Sequence, residues 1–254
     1  MKQAVIRFHG ALNDFLPLER RNAAFVYEFM GKPSVKDAVE ALGAPHVEVD
    51  VITVNGVSVT FDAHLADGDT MEAFPVGEGS GISGALHLVD PLRSEPSFIL
   101  DVHLGKLARY LRLLGIDVHL DHSLDDSGIA AVAAHTDRIV LTRDIALLKN
   151  GAVARGYRIR SRDPREQVRE VVSRFDLVRF AKPFTRCIVC NGILEPVPKE
   201  TVAARVPPEA ARSYEEFHCC PSCGRLYWKG SHYEKMERMV ERFLNRTCEG
   251  NQGK

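Results

Sequence analysis

Two Cys-x-x-Cys pairs, Cys187 with Cys190 and Cys220 with Cys223, constrain this 254-residue chain more than any other feature. Asn191-Gly192 follows the first pair and Gly224 the second, so each pair runs into a turn. Two intervening residues let one tight turn aim two thiolates at one ion, and two such turns complete a tetrahedral four-sulfur site, the spacing of a zinc ribbon. A closed site of this kind builds a fold and does no chemistry, so the search for function moves to the segment before it. With four well-spaced Cys present, His218 and His232 are not needed as ligands. Cys219 and Cys248 read as spare thiols, with Cys219 an alternative to Cys220.

Four of the six Cys in metal-like pairs argue for a reducing compartment rather than a disulfide framework. No apolar run approaches the ~20 residues of a membrane span. The first residues, Met1 to Arg7, lack a signal-peptide core. The expectation is a cytoplasmic protein that does not enter a membrane. The net charge of −1 hides an asymmetry: residues 1–90 hold 6 Lys and Arg against 13 Asp and Glu, whereas residues 91–254 hold 27 against 21. Residues 155–186 are the most basic stretch, 10 against 4. A positive half suits a polyanionic partner, although a solvated surface gives the same pattern.

Residues 2–9 alternate as a strand, and Ser34-Val35-Lys36-Asp37 opens a helix with a capping box. Residues 47–54 alternate strictly, turn at Asn55-Gly56 and return through Val57-Ser58-Val59. Asp67-Gly68-Asp69 leads into a last strand, Met71 to Val76. This order resembles the β-grasp of ubiquitin-like sulfur carriers over residues 1–76. The carriers act through a free terminal Gly-Gly, whereas this chain continues, so a docking module for a protein partner is the expected role. Residues 77–96 are rich in Gly, Ser and Pro and read as a linker. An alternating pattern follows over 97–183: strands at 97–100, 116–120, 138–142 and 157–161, and helices at 103–114, around 129–134 and at 164–175. Strands separated by helices imply a parallel sheet with flanking helices, an α/β fold. The ribbon and a C-terminal helix occupy 184–245, and 246–254 reads as a flexible tail.

Asp101, Asp121, Asp144 and Asp163 each follow one of these strands, with Asp125 and Asp126 shortly after the second. In a parallel sheet such ends share the ligand-binding edge. Two carboxylates at ~4 Å repel by about 4 kcal/mol at an effective dielectric of 20. A hard divalent cation, magnesium or manganese, removes that penalty and can activate water for phosphodiester hydrolysis. Asp163 before Pro164, with Glu166 three residues on, also reads as a helix cap, as does Asp126 before Ser127. Lys106, Arg109 and Arg112 are expected on the solvent side of the first of these helices. Lys106 and Arg109, with Arg143 beside Asp144, are candidates to hold phosphates. Tyr227, Trp228 and Tyr233, interleaved with Arg225, Lys229 and His232, could stack bases or pack the ribbon. Neither a P-loop nor a Gly-x-Gly-x-x-Gly loop is present, which argues against a nucleotide-cofactor enzyme.

The stretch Leu100-Asp101-Val102-His103-Leu104-Gly105-Lys106-Leu107-Ala108-Arg109-Tyr110-Leu111-Arg112-Leu113-Leu114-Gly115 resembles the opening of the Mut-seven C-terminal RNase family, a PIN-like nuclease. The resemblance continues at Asp126, at Leu141-Thr142-Arg143-Asp144, at Arg186 to Asn191 and at Tyr227 to Tyr233, covering roughly residues 97–240. It implies a PIN-like fold and metal-dependent cleavage of RNA, and the leading expectation is a ribonuclease that prefers single strands. By position, Asp101, Asp126 and Asp144 match the family's acidic residues, with Asp163 as a fourth. The N-terminal β-grasp is similar to the ubiquitin-like domain that precedes this nuclease in many bacterial members. An RNA-binding adaptor with an inactive acidic site is the competing expectation.

Overall fold

The computed structural model describes residues 1–77, 81–82, 84–90, 92 and 94–245. The tail expected over 246–254 lies outside them. In chain order the first segment holds β1 (Lys2–Phe8), β2 (Phe25–Phe29), α1 (Val35–Ala41), β3 (Val49–Val54), β4 (Val57–Val59) and β5 (Thr70–Pro75). The middle segment holds β6 (Ser97–Leu100), α2 (Gly105–Leu113), β7 (Asp117–His119), α3 (Asp126–Thr136), β8 (Ile139–Thr142), α4 (Ile145–Leu148), β9 (Gly156–Arg158) and α5 (Pro164–Arg174). The last holds β10 (Glu195–Val197), α6 (Lys199–Val202), α7 (Pro208–Ser213), β11 (Phe217–Cys219), β12 (Leu226–Trp228) and α8 (Tyr233–Leu244). Among the described residues no helix is long and apolar enough to cross a membrane. The chain forms two compact units, residues 1–93 with 124–158, and residues 94–123 with 159–254.

In the first unit a mixed sheet runs in the order β2-β1-β5-β3-β4, with β1 and β5 parallel and the other neighbours antiparallel. Ser34 and Asp37 close the capping box that starts α1, as expected. Val35, Ala38 and Val39 of α1 pack on Ile6, Phe8, Ile52 and Met71 of the sheet. Asn55 and Gly56 take positive φ, the geometry a two-residue hairpin needs. Strand β2 escaped the sequence reading. It is a short outer strand, and with the exposed Val26 beside Phe25 and Tyr27 its sequence shows no clear apolar alternation. The segment expected as a linker is held to this sheet in its described part. Leu88 N–H donates to Asp50 O at 2.7 Å, His87 Nδ1 meets Asp50 Oδ2 at 2.8 Å, and Leu88 packs against the core.

The same unit carries β8 and β9, paired in parallel, with α3 and α4 against β8. Side chains tie them to the β-grasp. His46 bridges Glu40 Oε1 at 2.7 Å and Val153 O at 3.1 Å. Lys149 Nζ donates to Glu40 O at 2.5 Å, and Arg158 N–H donates to Glu48 Oε1 at 2.6 Å. The N-terminal sheet is therefore joined to part of the middle segment by part-buried polar contacts.

In the second unit β6 and β7 pair in parallel, Phe98 opposite Val118. Helix α2 buries Leu107, Ala108 and Leu111, the apolar face expected from the sequence. Arg112 corrects that reading. Its side chain is only 4% exposed rather than on the solvent side. Gly115 ends the helix with φ +82° and no room for a Cβ, which would lie 2.0 Å from Lys182 O. That close approach brings residues 182–186 back along the end of α2: Lys182 N–H donates to Leu114 O and Phe184 N–H to Leu113 O. Chain reversal at this point delivers the first Cys pair to β7.

Candidate metal centre and the strand-end aspartates

The two Cys pairs sit on turns of the same construction. Cys187 N–H donates to Gly192 O at 2.8 Å while Asn191 N–H returns to Cys187 O at 2.9 Å. Cys220 N–H donates to Arg225 O at 2.9 Å while Gly224 N–H returns to Cys220 O at 2.8 Å. The fifth residue of each turn is left-handed, Asn191 at φ +73° and Gly224 at φ +71°, where Gly and Asn are tolerated best. The second turn joins β11 to β12, the antiparallel hairpin of the three-stranded sheet β10-β11-β12. Phe217 and the helical insertion residues Val202, Val206 and Ala210 form a small core beneath that sheet.

Together the turns gather four sulfurs whose atoms all lie within 4.8 Å of one another. Cys187 and Cys223 approach to 3.6 Å, Cys190 and Cys220 to 3.3 Å. A tetrahedron with zinc–sulfur bonds of about 2.3 Å has edges of about 3.8 Å, so the shell has the size and donor chemistry of one zinc ion. Cys187 and Cys220 are buried, Cys190 and Cys223 exposed. Cys220, not Cys219, belongs to the group, and neither His218 nor His232 does. Burial opposes charge on Cys187, yet hydrogen bonds from Tyr227 Oη and the backbone N–H groups of Cys190 and Val189 bring its pKa down to about 6. Burial raises the Tyr227 phenol, so it stays protonated and donates to Cys187 Sγ at 3.1 Å. Burial pushes Cys190 up to about 12 and Cys223 upward as well, so metal binding near neutral pH displaces protons from both.

Around the sulfurs stands a layer of contacts that binds the first turn to the parallel strands. Arg112 donates through Nε and Nη2 to Val118 O at 3.0 and 2.9 Å. Its Nη1 reaches Val189 O at 2.7 Å, a carbonyl between the two Cys of the first pair. Asn191 Oδ1 accepts from Val118 N–H at 3.0 Å, and its Nδ2 donates to Asp117 Oδ1 at 2.9 Å. Arg186 adds bonds to Gly115 O and Asn191 O, both at 3.1 Å. The sequence reading missed Arg112 and Tyr227 in these roles. For Arg112 the sequence offers only its apolar setting in Leu111-Arg112-Leu113-Leu114; the fold buries that run, so the Arg must satisfy its donors internally.

The four aspartates divide two to a unit, and each stands at a helix start. In the second unit Asp101 follows β6 and accepts from His103 N–H at 3.1 Å, heading the short turn before α2. Asp163 caps α5, with Oδ1 accepting from Arg165 and Glu166 N–H at 2.9 and 3.1 Å. Glu166 pairs with Arg169 instead of reaching back to the cap. In the first unit Asp144 caps α4, accepting from Ala146 N–H at 2.7 Å. Asp126 is the first residue of α3, and the cap is Asp125, which accepts from Gly128 N–H at 2.8 Å. Asp126, Asp144 and Asp163 are exposed, and Asp101 is half-buried. Lys106 and Arg109 are exposed on α2, and Arg143 is exposed between β8 and Asp144. Tyr227 is engaged by the sulfur cluster, while Tyr233 packs on Phe184 with ring centroids 4.7 Å apart.

Comparison with known proteins adds two matches. A family model described as the Mut7-C RNAse domain matches residues 96–240. A model described as Mut7-C ubiquitin matches residues 1–80. No curated protein and no solved structure matches the chain.

Proposed function

The chain belongs to the Mut7-C RNAse domain family, and from that membership we propose that it is a divalent-metal-dependent ribonuclease that hydrolyses phosphodiester bonds of single-stranded RNA. The observation that carries this reading is that Asp101, Asp126, Asp144 and Asp163 all fall inside the matched region and all stand where a strand hands over to a helix. Carboxylate oxygens are the donors that magnesium and manganese prefer. Such an ion, when bound, supplies an activated water and neutralises charge on the phosphate. Asp101, Asp126 and Asp144 would hold it, with Asp163 as the fourth acid. Lys106, Arg109 and Arg143 would grip phosphates on either side of the cut bond. The ribbon binds zinc as a structural element, the β-grasp docks a protein partner, and the site of action is the cytoplasm.

Capping offers a clean way to test the acids. Asn caps a helix about as well as Asp, so an Asp to Asn change at a cap keeps the helix and removes the charge. Asp144→Asn should therefore abolish cleavage of labelled RNA in manganese while the melting temperature holds. Cleavage at the wild-type rate by that variant would defeat the assignment. Binding of RNA by the wild type with no products in either metal would favour an inactive RNA-binding adaptor.

A further inference from the structure

Helices α5 and α8 lie side by side in the second unit, and the groove between them has a volume of about 400 Å³. Arg165, Arg169, Lys235, Arg238 and Arg242 line it, and no carboxylate does. Arg169 pairs with Glu166 on its own helix. Among the described residues the other four cations have no acidic partner. On α8 the charges are sorted: Lys235, Arg238 and Arg242 form one stripe, and Glu234, Glu237 and Glu241 form another with the same spacing, turned away from the groove. A helix charged only for solubility gains from pairing acid and base four residues apart. Glu234 and Arg238 have that spacing, yet no ion pair joins them among the described residues. The stripe rises about 4.5 Å from Lys235 to Arg238 and about 6 Å more to Arg242. Val240 and Phe243 are buried, and Phe243 packs on Tyr110 at 5.5 Å, so the stripe is held in place from below.

Met236 lines this groove and also a second, largely apolar cavity of about 180 Å³. Phe184, Trp228 and Tyr233 furnish the aromatic wall of that cavity. A row of unpaired cations that shares Met236 with an aromatic cavity combines the two things an unpaired nucleic acid strand offers partners for: phosphates and exposed base faces.

We propose that the α5–α8 groove is a track for the phosphate backbone of single-stranded RNA, and that one base of the strand enters the cavity of Phe184, Trp228 and Tyr233. The choice of RNA rests on the ribonuclease reading, while the lining of the track includes none of Lys106, Arg109 and Arg143. It begins at Arg165, two residues after Asp163, so an RNA lying in it runs toward the start of α5.

The test is fluorescence anisotropy of a short labelled oligouridylate with the full zinc-loaded chain and no added magnesium or manganese. The triple variant Lys235→Ala, Arg238→Ala, Arg242→Ala changes only exposed residues. It should bind at least about tenfold more weakly, and the slope of log affinity against log salt should fall by about 2, because each phosphate contact on a single strand contributes about 0.7. Tyr233→Leu should weaken the oligouridylate about tenfold and leave duplex RNA unchanged. Circular dichroism and zinc content confirm that both variants are folded. An unchanged salt slope in the triple variant would overturn the proposal. So would a polyglutamate probe that binds as tightly as RNA and loses as much in that variant, which would make the groove a site for an acidic protein. Groove-dependent binding without any cleavage would defeat the ribonuclease reading and leave the track standing. Cleavage with groove-independent affinity would do the reverse.

Discussion

The sulfur cluster and the strand-end aspartates are both sets of side chains of a kind that can bind metals, drawn from distant parts of the sequence, yet their local structures differ in kind. Each Cys pair has a turn whose hydrogen bonds serve to point the sulfurs, and a Tyr, an Arg and an Asn support those turns from outside. Each aspartate region already has a job that needs no ion, since Asp101, Asp144 and Asp163 accept backbone N–H bonds at helix starts and Asp125 does so beside Asp126. A site built to hold a fold invests its surroundings in the ligands. A site built for turnover can keep stable scaffolding beneath ligands that stay open to solvent.

The largest effect should come from breaking the first site. Cys187→Ser, or removal of zinc by a strong chelator, should unfold the C-terminal third and leave residues 1–76 protected, as read by limited proteolysis. Structural zinc in finger peptides contributes about 10–16 kcal/mol, far more than a ribbon of this size can replace. An undisturbed C-terminal fragment would erase the contrast. Next comes Asp144→Asn, which should lose several kcal/mol of transition-state stabilisation, at least about a hundredfold in rate. Stability should change by less than about 0.5 kcal/mol. A fall in stability comparable to that in activity would make Asp144 a structural residue like the Cys.

Arg112→Met sharpens the comparison from the supporting layer. It leaves Val118 O and Val189 O without their buried donors, at about 1–3 kcal/mol for each group that finds no replacement. Zinc affinity should fall about 10- to 100-fold, the usual result of losing a support behind a ligand. Competition with a chromogenic chelator reads that loss. Tyr227→Phe is the mildest change: one hydrogen bond to Cys187 Sγ disappears, for about 0.5–1.5 kcal/mol in the thermal unfolding of the zinc-loaded chain.

What the sequence discloses follows the same division. The Cys spacing identified all four members of the sulfur group, because a two-residue gap is a local geometric constraint. Helix α2 and strands β1, β3 and β5 followed from periodicity, since burial of one face imposes a repeat, whereas β6 and β8 followed from short apolar runs in an alternating strand and helix order. Arg112 went the other way. Its burial depends on two carbonyls, Val118 and Val189, that the fold brings from other segments, and no local period encodes that. His46, Glu40 and Lys149 are similar cases, meeting across more than a hundred residues of chain to fuse the β-grasp with β8, β9 and α4. The apolar alternation of β2 was too weak to stand out, because the strand is exposed on one side. Caps were the easiest polar roles to foresee, and Asp163 and Ser34 took them.

The bond from Val118 N–H to Asn191 has a consequence for how the molecule fails. Strand β7 pairs with β6 on one side, and on its other side this amide is covered by a side chain from the first Cys turn. Were a bound ion to leave and that turn to loosen, the Val118 N–H would be uncovered while Arg112 still held Val118 O, and an open strand edge is the template on which strands of separate molecules add to one another. Metal starvation would then act twice, first by melting a small module and then by seeding precipitation through an otherwise intact neighbour.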